Sequence, residues 1–373
     1  MLKSPARDKD VEVICLIAEG YMAANTILRL NMNPYRLVPF ILLSFSFFGA
    51  KADPVIEDFK LNSDEGYIEI FGSGFGDKPN AKPLLWLDFE SGIDFSLSRT
   101  ELSIDDINGK IVSDPDNLDN SVLIYDAKGN GSGGPEDIEF DSDKLFISVK
   151  RYYNFDIDDP ELTGSSGGLN LKVLRLWASY TSPDINNIYL GYQGTEGNNS
   201  GRIYAEYTGQ STNWVGSTAP QKGFDWLNEE VIYEASNIDA QNGIFQYIRN
   251  GKYAKSTEAR HRTSDRPKRY GVLVFDQVSN YSLSSPLEIM YDDIYVDESY
   301  HRLVLTDSKS ADKYSESVIQ IPIEWSDTYI KAKVRTKSIN NGNQYLHVYD
   351  GKNVSTAEGL RFCPECPVAP IIP

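Results

Sequence analysis

From residue 55 onward the chain alternates apolar and polar positions in short runs. Tyr67-Ile-Glu-Ile-Phe71, Leu145-Phe-Ile-Ser-Val-Lys150, Leu171-Lys-Val-Leu-Arg-Leu-Trp177, Arg202-Ile-Tyr-Ala-Glu-Tyr207, Glu230-Val-Ile-Tyr-Glu234 and Tyr329-Ile-Lys-Ala-Lys-Val334 all read this way. A side-chain period of two is the signature of a strand with one buried face. Gly, Asn, Asp and Pro punctuate the runs at intervals of roughly 8–15 residues, as in all-β sandwiches. Asn250-Gly251 follows Ile244-Phe-Gln-Tyr-Ile-Arg249 and marks a two-residue hairpin turn. No long stretch carries a helical period, so the pattern predicts an all-β chain with at most one short helix near 236–242.

The beginning of the chain breaks this pattern. Arg36 precedes an apolar run from Leu37 to Phe48, and Ala50-Lys51-Ala52 is a small-x-small cleavage site. That order is the layout of a secretory signal peptide over 32–52. The run of about 12 residues is too short for the ~20 that a membrane-spanning helix needs. The expectation is an exported chain that opens at Asp53, with residues 1–31 an upstream extension outside the fold and no membrane span in the mature part.

Charge narrows the partners. Residues 1–52 hold 6 of the 36 basic and 4 of the 54 acidic residues, which leaves 30 and 50 beyond them, a net −20. Such a balance argues against nucleic acid as a partner. Beyond residue 52 only Cys363 and Cys366 occur, in a Pro-rich tail at 363–373, and their Cys-Pro-Glu-Cys spacing suits a local disulfide. The acidic, Gly-rich segment 126–143 reads as a solvated connection.

Two stretches carry a family resemblance. Pro54-Val-Ile-Glu-Asp-Phe59 and Gly66-Tyr-Ile-Glu-Ile-Phe-Gly-Ser-Gly-Phe-Gly76 resemble the opening hairpin of an IPT/TIG domain, an immunoglobulin-like sandwich. Trp325 to Val334 and Gln344 to Ser355 resemble its closing strands. Between them, Leu87-Asp-Phe-Glu90, Asn228 to Gly251 and Tyr291-Asp-Asp-Ile-Tyr295 are similar to a concanavalin A-like lectin/glucanase jelly roll. The implied order is first TIG-like strands at 53–83, a jelly roll at 84–297 and closing TIG-like strands at 298–362. The jelly roll is inserted in, or follows, the immunoglobulin-like sandwich; its first and last strands pair, so insertion is geometrically easy.

The resemblance implies carbohydrate binding on one sheet face, where aromatic rings stack on sugars and Arg, Asn and carboxylates take the hydroxyls. Alternation then selects candidates: Arg175 with Trp177, Tyr204 with Glu206, Tyr247 with Arg249, and Arg151 with Tyr153 at a strand end. From Arg249 to Tyr270 eight basic residues, Arg260 and Arg262 among them, face only Glu258 and Asp265. Guanidinium forks match carboxylate and sulfate, so the expected partner is an acidic polysaccharide. The alternatives are a polysaccharide lyase, with His261 as the base candidate in the basic run, and a non-catalytic adhesive or spacer protein. No organic cofactor is implied. Jelly rolls of this kind hold a structural calcium ion where the first and last strands meet, which makes Asp88, Glu90 and Asp293 the candidate ligands.

Overall fold

The computed structural model describes residues 53–90, 92–100, 102–126, 132–135, 137–155, 170–193, 202–207, 214–217, 223–279, 287–335 and 343–363. The leader read at 32–52, the extension at 1–31, residues 127–131 and 136 of the 126–143 connection, and Cys366 lie outside these residues. Cys363 is disulfide-bonded.

The chain is all-β, as the alternation predicts, with one 3-10 turn at Ile104–Asp106 and no helix at 236–242. It opens with β1 (Val55–Asn62) and β2 (Tyr67–Ser73), followed by β3 (Leu85–Leu87), β4 (Ile107–Asn108), β5 (Lys110–Ser113), β6 (Ser121–Asp126), β7 (Gly134–Pro135) and β8 (Ile138–Glu139). The long middle strands are β9 (Lys144–Tyr153), β10 (Asn170–Ser179), β11 (Asn186–Gln193), β12 (Arg202–Glu206), β13 (Trp214–Ser217), β14 (Trp226–Glu234), β15 (Gly243–Arg249), β16 (Lys252–Ala259), β17 (Val272–Ser279) and β18 (Glu288–Asp297). The chain closes with β19 (Arg302–Thr306), β20 (Ser317–Trp325), β21 (Tyr329–Lys333), β22 (Gln344–Tyr349) and β23 (Leu360–Phe362). No helix among the described residues is long and apolar enough to cross a membrane.

Among the described residues three large antiparallel sheets stack in layers, and β4 and β7 form a separate two-stranded one. The outermost has the order β13-β12-β11-β10-β17-β8. The middle one runs β16-β15-β14-β9-β18-β6-β5, with β3 added on β18. Leu171, Leu174 and Leu176 of β10 meet Leu145, Ile147 and Val149 of β9 in the core between these two. On the opposite face of β9 the central side chains, Phe146 and Ser148, are buried too. Phe146 packs with Trp86, Ile232 and Tyr295 against Tyr300, Val304, Ile319 and Tyr349 of the third sheet. A strand covered on both faces needs a nearly continuous apolar run, which is how Leu145-Phe-Ile-Ser-Val149 reads.

The third sheet, β1-β2-β21-β20-β19-β22-β23, joins both ends of the described chain. Tyr67 pairs with Lys333 and Phe71 with Tyr329. The sheet folds over its own core, formed by Ile68, Ile70 and Ile330 against Leu303, Leu346 and Phe362. The β15–β16 turn is built as its sequence predicts: Asn250 and Gly251 both have positive φ, 48° and 66°. A Cβ on Gly251 would lie 2.2 Å from the Tyr314 carbonyl oxygen, so this turn is pressed against the third sheet.

Candidate functional site

The outer face of the six-stranded sheet collects most of the polar and aromatic side chains that the alternation selects. On β10 a bulge at Lys172–Leu174 turns Val173 and Leu174 inward together, which leaves Lys172, Arg175 and Trp177 outward. Register then sets three rows across the sheet. One is Glu139–Val272–Trp177–Asn187–Glu206, the next Val274–Arg175–Tyr189–Tyr204, the last Gln277–Lys172–Gly191. At ~3.3 Å per residue neighbouring rows lie about 6–7 Å apart.

Arg175 is the centre. Its guanidinium carbon lies 3.8 Å from the Trp177 ring centroid and 5.1 Å from that of Tyr189. Its Nε donates to Asn187 Oδ1 at 3.0 Å, Nη1 to Gln277 Oε1 at 2.7 Å and Nη2 to Glu206 Oε2 at 2.9 Å. Asn187 Nδ2 donates to the same Glu206 oxygen at 2.8 Å. Tyr189 and Tyr204 stack at 5.1 Å, and Trp177 meets Tyr180 at 5.0 Å. The fork of Arg175 is therefore held flat and oriented before any ligand arrives.

Lys172 differs from Arg175 in its company. It is 9% exposed, and among the described residues no carboxylate lies within ion-pair distance. Its Nζ donates to Asn170 Oδ1 at 2.8 Å and sits 5.7 Å from the Tyr189 ring centroid. Burial, reinforced by the neighbouring Arg175, lowers its pKa to about 8. The Tyr189 hydroxyl moves the other way: burial and the Glu206 charge push it up, so it stays protonated.

Of the sequence candidates, Arg175, Trp177, Tyr204 and Glu206 come together here. Lys172, Tyr189, Asn187, Gln277 and Glu139 join them. Tyr189 and Asn187 were legible, because Asn187-Ile-Tyr-Leu-Gly191 alternates as cleanly as β12, whereas strict alternation puts Lys172 on the face opposite Arg175 and only the bulge brings it outward.

Four other candidates lie elsewhere, which corrects their expected place on a ligand face. Arg151, Tyr153 and Tyr247 are at most 1% exposed and point between the outer two sheets. Arg151 forms ion pairs with Glu229 and, at 2.8 Å, with Asp276. Tyr153 and Tyr291 each donate to Asp276 at 2.9 Å, and Tyr247 donates to Glu229. Burial presses Arg151 toward its neutral form, but Asp276 together with Tyr153, Tyr291 and Tyr247 more than offsets this and the guanidinium stays charged. Arg249, half-buried at the rim, donates to the Tyr247 hydroxyl at 3.1 Å. These groups satisfy one another inside the core.

His261 is 0% exposed, stacked on Tyr233 at 5.4 Å and beside Tyr270 at 5.5 Å. Burial lowers its pKa to about 3. It is a neutral core ring rather than a base in a basic cleft. The basic run is itself divided. Arg249 and Lys252 lie at one end of β16 and Arg260 and Arg262 at the other, about 25 Å apart at ~3.3 Å per residue. Arg262 Nε donates to the Ser236 carbonyl at 2.8 Å, and Arg269 pairs with Asp141 and Asp143.

The proposed calcium ligands face cations instead of a shared cavity. Asp293 pairs with Lys150 at 2.9 Å and with Arg335, whose Nε is 3.9 Å from Asp88. Burial alone would raise the Asp293 pKa, but Arg335 and Lys150 hold it well below the usual range. Among the described residues no group of three His, Cys, Asp or Glu side chains is arranged to hold a metal.

No family model and no curated protein matches the chain. Among solved structures it is similar to the alginate lyase Aly36B, at 16% identity over 48% of this chain and 81% of the lyase, with a TM-score of 0.37. It is also similar to the endo-beta-1,4-glucuronan lyase of the fungus Trichoderma reesei, at 10% identity over 51% of this chain and 86% of that one, with a TM-score of 0.33. A third similarity is to the carbohydrate recognition domain of Emp46p, at 9% identity over 51% and 87% of the two chains, with a TM-score of 0.34.

Proposed function

We propose that the outer face of the six-stranded sheet binds an acidic polysaccharide. One observation carries this reading: Lys172 is a nine-tenths buried cation with no carboxylate at ion-pair distance among the described residues, in a chain of formal net charge −18. Burying an ionised group is costly unless an opposite charge compensates it. A ligand carboxylate or sulfate would supply that charge. Tyr180, 47% exposed, adds a ring for the apolar face of a sugar at the edge of the buried Trp177, Tyr189 and Tyr204 cluster, and the half-buried Gln277 adds an amide for a hydroxyl. The apolar run from Leu37 to Phe48 with Ala50-Lys51-Ala52 behind it supports placing this face outside the cytoplasm.

The test is affinity electrophoresis of the chain through gels containing hyaluronan, polygalacturonate or a neutral glucan. Retardation by an acidic polymer, abolished by Lys172→Met, is the expected result. Equal migration in all three gels would sink the reading.

A second reading, β-elimination, is favoured by the pairing of Lys172 with Tyr189. An amine with a pKa of about 8 can accept the C5 proton of a uronate. The C–H electrons then form the C4=C5 double bond as the C4–O bond breaks, and the protonated Tyr189 can hand its proton to the leaving oxygen. Arg175 and Gln277 would bind the carboxylate. Rising absorbance near ~235 nm in the same samples, lost in Lys172→Met, separates turnover from simple binding.

A further inference from the structure

The charges on this face are sorted along the strands. The row through Trp177 ends in carboxylates on both sides, Glu139 on β8 and Glu206 on β12. Glu139 is exposed, and the Glu206 side chain is 23% exposed, the most open of the charged groups around Arg175. Asp137 adds a third carboxylate, accepting from the Tyr180 hydroxyl at 2.8 Å. The rows of Arg175 and Lys172 hold the cations and, among their described outward side chains, no acid. Arg266 stands near the acidic end, 5.6 Å from the Tyr207 ring. Its Nη1 donates to the carbonyls of Ile185 at 2.5 Å and Pro183 at 3.2 Å, so it does not neutralise the row.

Resting on the acidic-glycan reading, we infer that the face discriminates among acidic glycans and takes one in which acidic and neutral sugars alternate. About four residue steps, ~13 Å, separate the Trp177 row from the Lys172 row. A sugar over Lys172 and Arg175 must present an anion to compensate the buried ammonium. A sugar over Trp177 and Tyr180 meets the exposed Glu139 and Asp137, which accept hydrogen bonds from hydroxyl or amide groups and repel a carboxylate, while Glu206, paired with Arg175 at 2.9 Å, keeps that guanidinium occupied on the same side. Tyr180, 47% exposed, stacks on an uncharged ring equally well. A homopolymer of uronate sets a carboxylate on every unit and so puts like charges together at the acidic row; an alternating chain does not. Specificity of this kind comes from the repulsive element as much as from the attractive one.

Calorimetric titration of the full chain with hyaluronan, which alternates glucuronate with a neutral amino sugar, and with polygalacturonate tests this. Hyaluronan should bind roughly tenfold more tightly, a difference typical of one misplaced charged hydrogen bond. Glu206→Gln should narrow that ratio by raising the affinity for polygalacturonate, and Glu139→Gln should act in the same direction without touching the Arg175 network. Equal affinities in the unaltered chain, or a ratio that neither variant moves, would overturn the inference. Lys172→Met reads the face itself. Loss of both polymers upholds the acidic-glycan reading whatever the ratio does, and retention of both removes that reading and this inference together.

Discussion

Two buried cations, Arg151 and Lys172, show how a side chain's company separates structure from function. Arg151 has two carboxylates, Glu229 and Asp276, each tied further by tyrosine hydroxyls. Removing it strands those charges in the core. Arg151→Met is expected to cost about 3–5 kcal/mol of stability, read as a lower urea midpoint. Among the described residues Lys172 has no carboxylate at ion-pair distance, so Lys172→Met is expected to leave the midpoint unchanged or raise it while removing the proposed ligand binding. Stability bought at the expense of a site is a usual trade. The pH dependence follows from the sign of the shift. The folded pKa is about 8 against the ordinary lysine value of 10.5, so between these pH values the unfolded chain binds more protons. Stability of the free protein then rises from pH 8 toward 10.5, and Lys172→Met removes that rise. Affinity for an anion runs the opposite way and falls as pH climbs past about 8. Urea titrations and binding isotherms at pH 7, 8 and 9.5 check both trends.

At the level of strands, the sequence was most informative where one sheet face is apolar. β12 alternates cleanly and β10 does so beyond its bulge, from Leu174 to Ala178, and their outward residues Arg175, Trp177, Tyr204 and Glu206 meet at the site. Alternation does not say which side of a strand faces water. Tyr247 and Arg249 share a face as expected, but that face looks inward, and the polar groups on it are satisfied across the core. The β16 hairpin explains the basic run: residues close in sequence end up at opposite ends of an extended strand. Two local reversals with positive φ were not legible at all. Asp276 has φ 37° and turns into the core on β17 beside Phe275, where strict alternation from Leu273 and Phe275 puts it outward and its neighbour Gln277 inward. Asp293 has φ 51° on β18 and meets Lys150 and Arg335. The β15 entry shows how tightly such strands are fitted. A Cβ on Gly243 would lie 2.4 Å from His261 Nδ1 and 2.9 Å from the Ala259 carbonyl. Gly243→Ala is expected to cost about 1–3 kcal/mol through overpacking, again as a lower urea midpoint. Because burial holds His261 near pH 3 against 6.5, stability also falls as pH drops through that window, and the unfolded state takes the proton first.

For the whole molecule, the question is whether the segment 84–297 can stand without the sheet that joins the chain ends. Its middle sheet turns Trp86, Phe146, Ile232 and Tyr295 toward Tyr300, Val304, Ile319 and Tyr349. Arg302 lies between Phe146 and Tyr349, 4.2 and 3.6 Å from their ring centroids. Lys78 and Asp297, both almost fully buried, pair across the same junction at 2.5 Å, and Glu230 accepts from the Tyr314 hydroxyl at 2.9 Å. Cutting the chain at 84 and 297 would bare four large apolar side chains and leave Asp297 and Glu230 without their partners. Each fully buried side chain of this size contributes about 1.5–3 kcal/mol, comparable in sum with the stability of an ordinary domain. Residues 53–363 are therefore expected to unfold in one calorimetric transition, with matching van't Hoff and calorimetric enthalpies. The isolated 84–297 segment should aggregate or lack a cooperative transition. Two separate transitions in the full chain, or a soluble and cooperatively folding 84–297 fragment, would show instead that the layers are independent modules. In that case the glycan face could be studied, and could work, without the sheet that closes the chain.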